Sequence, residues 1–194
     1  MLEALHSLGM PCLHTREPGG PPVAEKVREL LLTPELEISA MTEVMLYLAS
    51  RAANVDLVVR PALETGRTVL CERYSDATMA YQVGGRGLPE AEVREADALA
   101  TGGLVPDLTI LLDLDPAAGL ARLGRQGRER DRIERESLAF HRRVREYYLD
   151  LAQREERFFV VDASLPPEEQ ERLMISALSD LLKVDGNTPK GDEI

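Results

Sequence analysis

Three short stretches are apolar at nearly every position: Thr68 to Cys71, Leu108 to Leu112 within the expected strand Asp107 to Leu114, and Phe158 to Val161. Strands that are apolar along their whole length are covered on both faces, which is the pattern of a parallel sheet. A shorter stretch, Pro11 to Thr15, reads as a further strand. Between these runs the apolar residues recur at helical spacing. Met1 to Leu8 has the form of the closing turns of an amphipathic helix with Gly9 as its C-cap. Further helices are expected over Pro22 to Leu32, Thr42 to about Thr65, Asp76 to Tyr81, Pro89 to Ala100, Asp115 to Leu123, Glu136 to Arg154 and Pro167 to Leu182. Ser39 or Thr42 would cap the second of these, Gly66 would stop it, and Pro61 would kink it. Asp115-Pro116 supplies an N-cap followed by proline at the first helical position.

Strands alternating with helices predict an α/β fold, a three-layer parallel sheet with helices on both faces. Residues 1–184 are expected to form one domain, with a polar, disordered tail over 185–194. In such sheets ligands bind beyond the carboxyl ends of the strands. That directs attention to Arg16-Glu17, Glu72-Arg73 and the stretch from Asp113 to Asp115.

Composition narrows the classes. The net charge of −11 argues against general affinity for nucleic acid or an anionic membrane. No apolar run approaches the ~20 residues of a membrane span, and no signal peptide opens the chain, so a cytoplasmic location is expected. The 2 cysteines, Cys12 and Cys71, sit in apolar segments without metal-ligand spacing. They read as free thiols of a reducing compartment. The basic residues are 20 Arg against 3 Lys, which codon composition explains as well as chemistry does.

The richest stretch runs Glu72-Arg73-Tyr74-Ser75-Asp76-Ala77-Thr78-Met79-Ala80-Tyr81-Gln82, then Gly84-Gly85-Arg86-Gly87. An arginine at a strand end can grip phosphate oxygens bidentately, and the adjacent carboxylate can hold Mg²⁺ or its waters. Thr78 to Tyr81 would lie on one helical face, with Tyr81 and Gln82 able to meet a sugar or base. This string resembles the acceptor-site motif of the thymidylate kinase family, which phosphorylates dTMP with ATP. Thr15-Arg16-Glu17-Pro18-Gly19-Gly20, Tyr47-Leu48-Ala49-Ser50-Arg51, Ala100-Thr101-Gly102-Gly103-Leu104-Val105-Pro106-Asp107-Leu108-Thr109 and Asp131-Arg132-Ile133-Glu134 resemble four other family segments. The likeness covers residues 1–182.

The resemblance implies a nucleoside-monophosphate-kinase-like fold, dTMP and ATP as substrates with Mg²⁺, a place in dTTP biosynthesis, and a homodimer through the helix around Val44 to Leu57. It implies that Tyr47 lies against thymine and that Arg51 reaches the base's edge. Tyr81 would crowd the sugar's 2′ position, and Thr78 and Gln82 would hydrogen-bond the base or frame its pocket. Arg73 would hold the acceptor phosphate, Glu72 would order Mg²⁺, and Arg16, Glu17 and Pro18 would form a turn beside that phosphate, with Pro18 in the cis form. The six arginines from Arg122 to Arg135 would furnish a lid over ATP at about 124–135. Within it, Arg125 and Arg128 would contact phosphate, while Arg122 and Arg132 would serve ATP binding.

The sequence departs from the family pattern at Glu72, where Asp is usual, and at Pro21, Ala77 and Val83. A larger departure is the lack of G-x-x-x-x-G-K-[ST], whose amides cradle phosphates while its lysine neutralises them. Lys26, Lys183 and Lys190 follow Glu25, Leu182 and Pro189, so the sequence contains no Gly-Lys pair. The family's central first strand, its phosphate loop and the start of its first helix are therefore expected to be absent. An incomplete gene model is one account of this. The other is a catalytically inactive dTMP-binding relative that lost the loop.

Overall fold

The computed structural model describes residues 11–125, 127 and 129–184. The expected helix over Met1 to Leu8, the lid residue Arg128 and the tail 185–194 lie outside the described residues. Strand β1 spans Cys12–Arg16 and is followed by α1 over Pro22–Leu32. Pro22 starts α1 with the backbone angle a helix needs, and Glu25 turns back to accept the Gly20 N–H at 2.9 Å. Helix α2 covers Ala40–Asn54, capped by Ser39, whose hydroxyl accepts from the Thr42 N–H at 3.2 Å.

The single long helix expected here is instead three pieces. A π-helical turn, Val55–Val59, joins α2 to the short α3, Arg60–Glu64. Pro61 lacks an N–H, and its ring would crowd the carbonyl four residues back in a regular helix. The wider turn just before it, with the Arg60 N–H donating to the Val55 carbonyl, relieves that crowding.

Strand β2, Thr68–Glu72, leads into α4, Ser75–Thr78, and a second π-helical stretch over Met79–Gly85. Then come α5 (Glu90–Thr101), β3 (Thr109–Asp113), α6 (Pro116–Arg125), α7 (Leu138–Arg154), β4 (Phe158–Asp162) and α8 (Pro167–Val184). The second π stretch packs directly on α7. A Cβ at Gly85 would stand 2.5 Å from the Phe140 ring, so the close approach requires glycine.

The strands pair in parallel, as the continuous apolar runs predict. β1 lies beside β2 with Cys12 opposite Thr68 and Arg16 opposite Glu72. β3 lies beside β4 with Thr109 opposite Phe158 and Asp113 opposite Asp162. Among the described residues no ladder joins β2 to β3. A cavity of about 1370 Å³ opens between them, lined by Thr68 to Cys71 on one side and Thr109 to Asp113 on the other. The two pairs are held together by helices. Val44, Leu48, Met79, Val93 and Leu151 form a buried cluster against which Phe158 packs. Asp76 at the start of α4 is clamped by Arg157, just before β4, through contacts of 2.6 and 2.8 Å. No helix among the described residues is long and apolar enough to cross a membrane.

Candidate active site

The carboxyl ends of β1 and β2 deliver the residues singled out by the sequence. Beyond β1, Glu17 is 4% exposed and Glu17-Pro18 is a cis peptide, as expected for this turn. Gly20 follows at φ 99°, where a Cβ would meet the Asn54 amide oxygen at 2.6 Å. The turn is thus held against α2, with the Gly19 N–H donating to the Ser50 hydroxyl at 3.0 Å.

Arg51 is the hub of that junction. Its Nε donates to Glu17 at 2.8 Å, and one terminal nitrogen donates to Asp97 at 2.6 Å and to the Thr78 hydroxyl at 2.9 Å. The guanidinium also lies 5.1 Å from the centre of the Tyr74 ring. Asn54 supplies Glu17 with another donor at 3.0 Å. Burial still pushes the Glu17 carboxyl above the usual carboxylate range, against the pull of Arg51 and Asn54.

Beyond β2, Arg73 adopts φ 63°, a left-handed conformation that a side-chain-bearing residue enters at a cost of about 1–3 kcal/mol. That backbone sets its guanidinium over the Tyr81 ring, 5.1 Å from the centre. Tyr81 in turn meets Phe140 and Tyr148 of α7, the latter edge-on at 6.5 Å. Tyr47 stands near this group from α2. Burial, then the Glu43 charge, pushes its phenol up to about 12, so it stays protonated at neutral pH.

One cavity gathers most of the expected residues: Glu17, Pro18, Tyr47, Arg51, Arg73, Thr78, Tyr81, Gln82 and Arg122 all line it. It measures about 1370 Å³, a generous space for a nucleotide-sized ligand. Arg122 donates to the Ala163 carbonyl just past β4, at 3.1 and 3.2 Å. The other expected residues stand apart from the lining. Arg16 pairs with Glu25, both at the surface. Arg125 is the exposed last residue of α6. Arg132 is 11% exposed at its side chain and engages Glu43 at 2.5 Å and the Leu31 carbonyl at 2.9 Å. Glu72 is exposed and bonds His14 Nε2 at 2.8 Å.

Among the described residues no three His, Cys, Asp or Glu side chains gather as a metal cage. Mg²⁺ commonly takes one or two carboxylates and fills its remaining positions with water and substrate phosphates. Glu72, exposed at a strand's carboxyl end, has one oxygen engaged by His14 and its other oxygen fits that donor set. The acids after β3 have other work. Asp113 is held bidentately by Arg145 at 2.6 and 2.8 Å, and Asp115 caps α6 by accepting from the Ala117 and Ala118 N–H groups.

Several residues of the cavity had no sequence signal of their own. Arg28, on the cavity wall, donates to the Pro18 carbonyl at 2.8 Å, and Tyr148 of α7 faces the same space. Asp97 completes the Arg51 network from α5. Tyr148 and Asp97 come from elements distant in sequence from that turn, whereas Arg28 lies on α1, which directly follows it.

The arrangement is an arginine at a strand end flanked by aromatics, hydroxyl and amide groups over a large cleft. The chain is matched by the thymidylate kinase family model over residues 1–174. The chain belongs to the thymidylate kinase family. It is 52% identical over 181 residues to the thymidylate kinase of Deinococcus radiodurans, covering 92% of this chain and 87% of that one. The thymidylate kinase of Thermomicrobium roseum is 47% identical over 186 residues, at 95% and 88% coverage. That of Pseudomonas putida is 46% identical over 181 residues, at 92% and 87%. Membership in the thymidylate kinase family makes this chain a nucleotide kinase by descent.

Proposed function

We propose that the cavity binds dTMP and that the family reaction, transfer of the ATP γ-phosphoryl group to dTMP to give dTDP, is carried out around Arg73. The observation that carries this reading is that Arg73, Tyr47, Tyr81, Thr78 and Gln82 all line one cavity. Arg73 would hold the acceptor phosphate bidentately, its left-handed backbone aiming the guanidinium into the cleft. Tyr47 and Tyr81 offer aromatic surface to base and sugar. Phosphoryl transfer depends mainly on positioning and on neutralising charge, so fixed arginines suit it. The Glu17–Arg51–Asp97 network makes the floor of the pocket rigid without loose charges.

Glu72 would take Mg²⁺, which would neutralise charge on the transferring group. Arg122, Arg125 and Arg128 would serve the ATP side, with Arg125 and Arg128 nearest phosphate, while Arg132, expected there too, is held by Glu43 and the Leu31 carbonyl. Of these, only Arg122 borders the cavity among the described residues. We place the protein in the cytoplasm. We also propose a homodimer through Met41, Met45 and Leu57, exposed by 44, 51 and 62% on the helical arm that starts at α2. Val44, expected on the same face, is 2% exposed and belongs to the core.

The sequence has no Gly-Lys pair to cradle the ATP phosphates. This chain is therefore expected to bind dTMP in titration calorimetry and to release essentially no ADP when ATP, Mg²⁺ and dTMP are supplied. Absence of dTMP binding would overturn the pocket assignment. Robust ADP release would overturn the need for the phosphate loop, and with it the alternative of an inactive dTMP-binding relative.

A further inference from the structure

Beside the pocket lies a second buried ionic cluster. Glu43 of α2 is 1% exposed, accepts hydrogen bonds from Arg86 and Gln82, and forms an ion pair with Arg132. Arg86 reaches both carboxylate oxygens, at 3.1 and 3.0 Å, and Arg132 approaches at 2.5 Å. Gln82 donates its amide nitrogen to Glu43 Oε1 at 2.8 Å. Arg86 is itself held by Glu136 at 2.5 Å.

The contact with Gln82 settles how that amide faces. A carboxylate only accepts, so the NH₂ end must turn toward Glu43 and the oxygen must face the other way. Gln82 is 0% exposed, and its Oε1 is buried with no hydrogen-bond partner among the described residues. A buried acceptor left without a donor is costly enough that such atoms call for an explanation. Gln82 stands on the cavity wall with Thr78, Tyr81 and Tyr47.

We infer that Glu43 is a positioning residue for base selection: it locks Gln82 so that an acceptor, not a donor, is presented to the bound pyrimidine. A ring carrying an N–H beside its carbonyls, as in an imide, satisfies that acceptor. A 4-amino pyrimidine offers a bare ring nitrogen there, so two acceptors oppose each other and the ligand is rejected. A free glutamine could turn its amide over and accept either ring. Glu43 removes that choice without touching the ligand.

This inference rests on the dTMP reading above and can fail separately from it. The readout is the ratio of dissociation constants for dCMP and dTMP, measured by calorimetry on the full chain. Glu43→Gln keeps the shape but can donate as well as accept, which frees Gln82 to turn. The ratio is expected to fall by about fivefold or more, the scale of one buried hydrogen bond. A merely structural role would weaken both nucleotides alike and leave the ratio in place. A smaller fall, in a variant that still melts cooperatively, overturns the inference.

Should Glu43→Gln not fold, the unsubstituted chain still decides. The Gln82 side-chain amide protons, followed by NMR, should exchange with solvent far more slowly than those of the exposed Gln153. Exchange as fast as that of Gln153 overturns the lock. If the unsubstituted chain binds no dTMP, the pocket assignment falls while the exchange measurement still reports on Glu43 and Gln82.

Discussion

Two buried glutamates flank the pocket, and they titrate in opposite directions. Glu17 and Glu43 are 4% and 1% exposed, and each faces arginine. Burial pushes both carboxyls up. At Glu17 it prevails, because Arg51 is shared with Asp97 and only Asn54 adds a further side-chain donor. At Glu43 the hydrogen bonds from Arg86 and Gln82, then the charges of Arg86 and Arg132, bring the carboxyl below its usual range. Glu17 is the more heavily desolvated of the two and has Asp97 beside it, whereas Glu43 has more donors and two cations, and that balance decides the sign. A buried ion pair is thus no uniform asset: one cluster holds its charge comfortably while the other holds it under tension.

The largest test of that contrast removes the shared arginine. Arg51→Met would leave Glu17 and Asp97 buried without their cation, at a cost of about 3–5 kcal/mol in urea unfolding. Arg86→Met should cost less, about 1–3 kcal/mol, since Arg132 and Gln82 still serve Glu43. Equal losses would break the comparison.

Acid unfolding sharpens it further. The Glu43 contribution is present above its ordinary value of 4.5 and is lost as pH falls through its depressed folded value. The raised Glu17 works the other way. Its penalty is absent at low pH, where both states are protonated, and grows as pH rises through and above 4.5. Glu43→Gln should therefore lose less stability than the unsubstituted chain on acidification from about pH 6 to 3, and Glu17→Gln should lose more. Urea midpoints across that range would show it, and parallel profiles would refute the opposed signs. The smallest effect is expected at the surface. Arg16→Ala breaks an exposed pair with Glu25 and should change stability by less than about 1 kcal/mol.

Much of this was legible in the sequence because it is local. Apolar runs located the strands, Ser39 and Asp115 announced helix starts, and the string from Glu72 to Gln82 marked the pocket. Pro61 warned of a distortion but not of its form, since widening the turn before it and kinking the helix relieve the same crowding. The Glu43 cluster was silent. Glu43, Gln82 with Arg86, and Arg132 with Glu136 come from three separate segments, and although Gln82 and Arg132 read as nucleotide contacts, nothing in the sequence joins them to Glu43. Arg132 shows the limit well. Its neighbours suggested a lid contact with ATP, whereas packing brings it to a buried carboxylate on α2.

The separate strand pairs bear on how the molecule breathes. Among the described residues each ladder has two strands, and Asp76 with Arg157 ties the α4 end of one pair to the edge of the other. Hydrogen exchange should therefore resolve two opening units, with β1 and β2 protected to one level and β3 and β4 to another. Loosening the Arg157 clamp would uncouple their motions before either ladder melts.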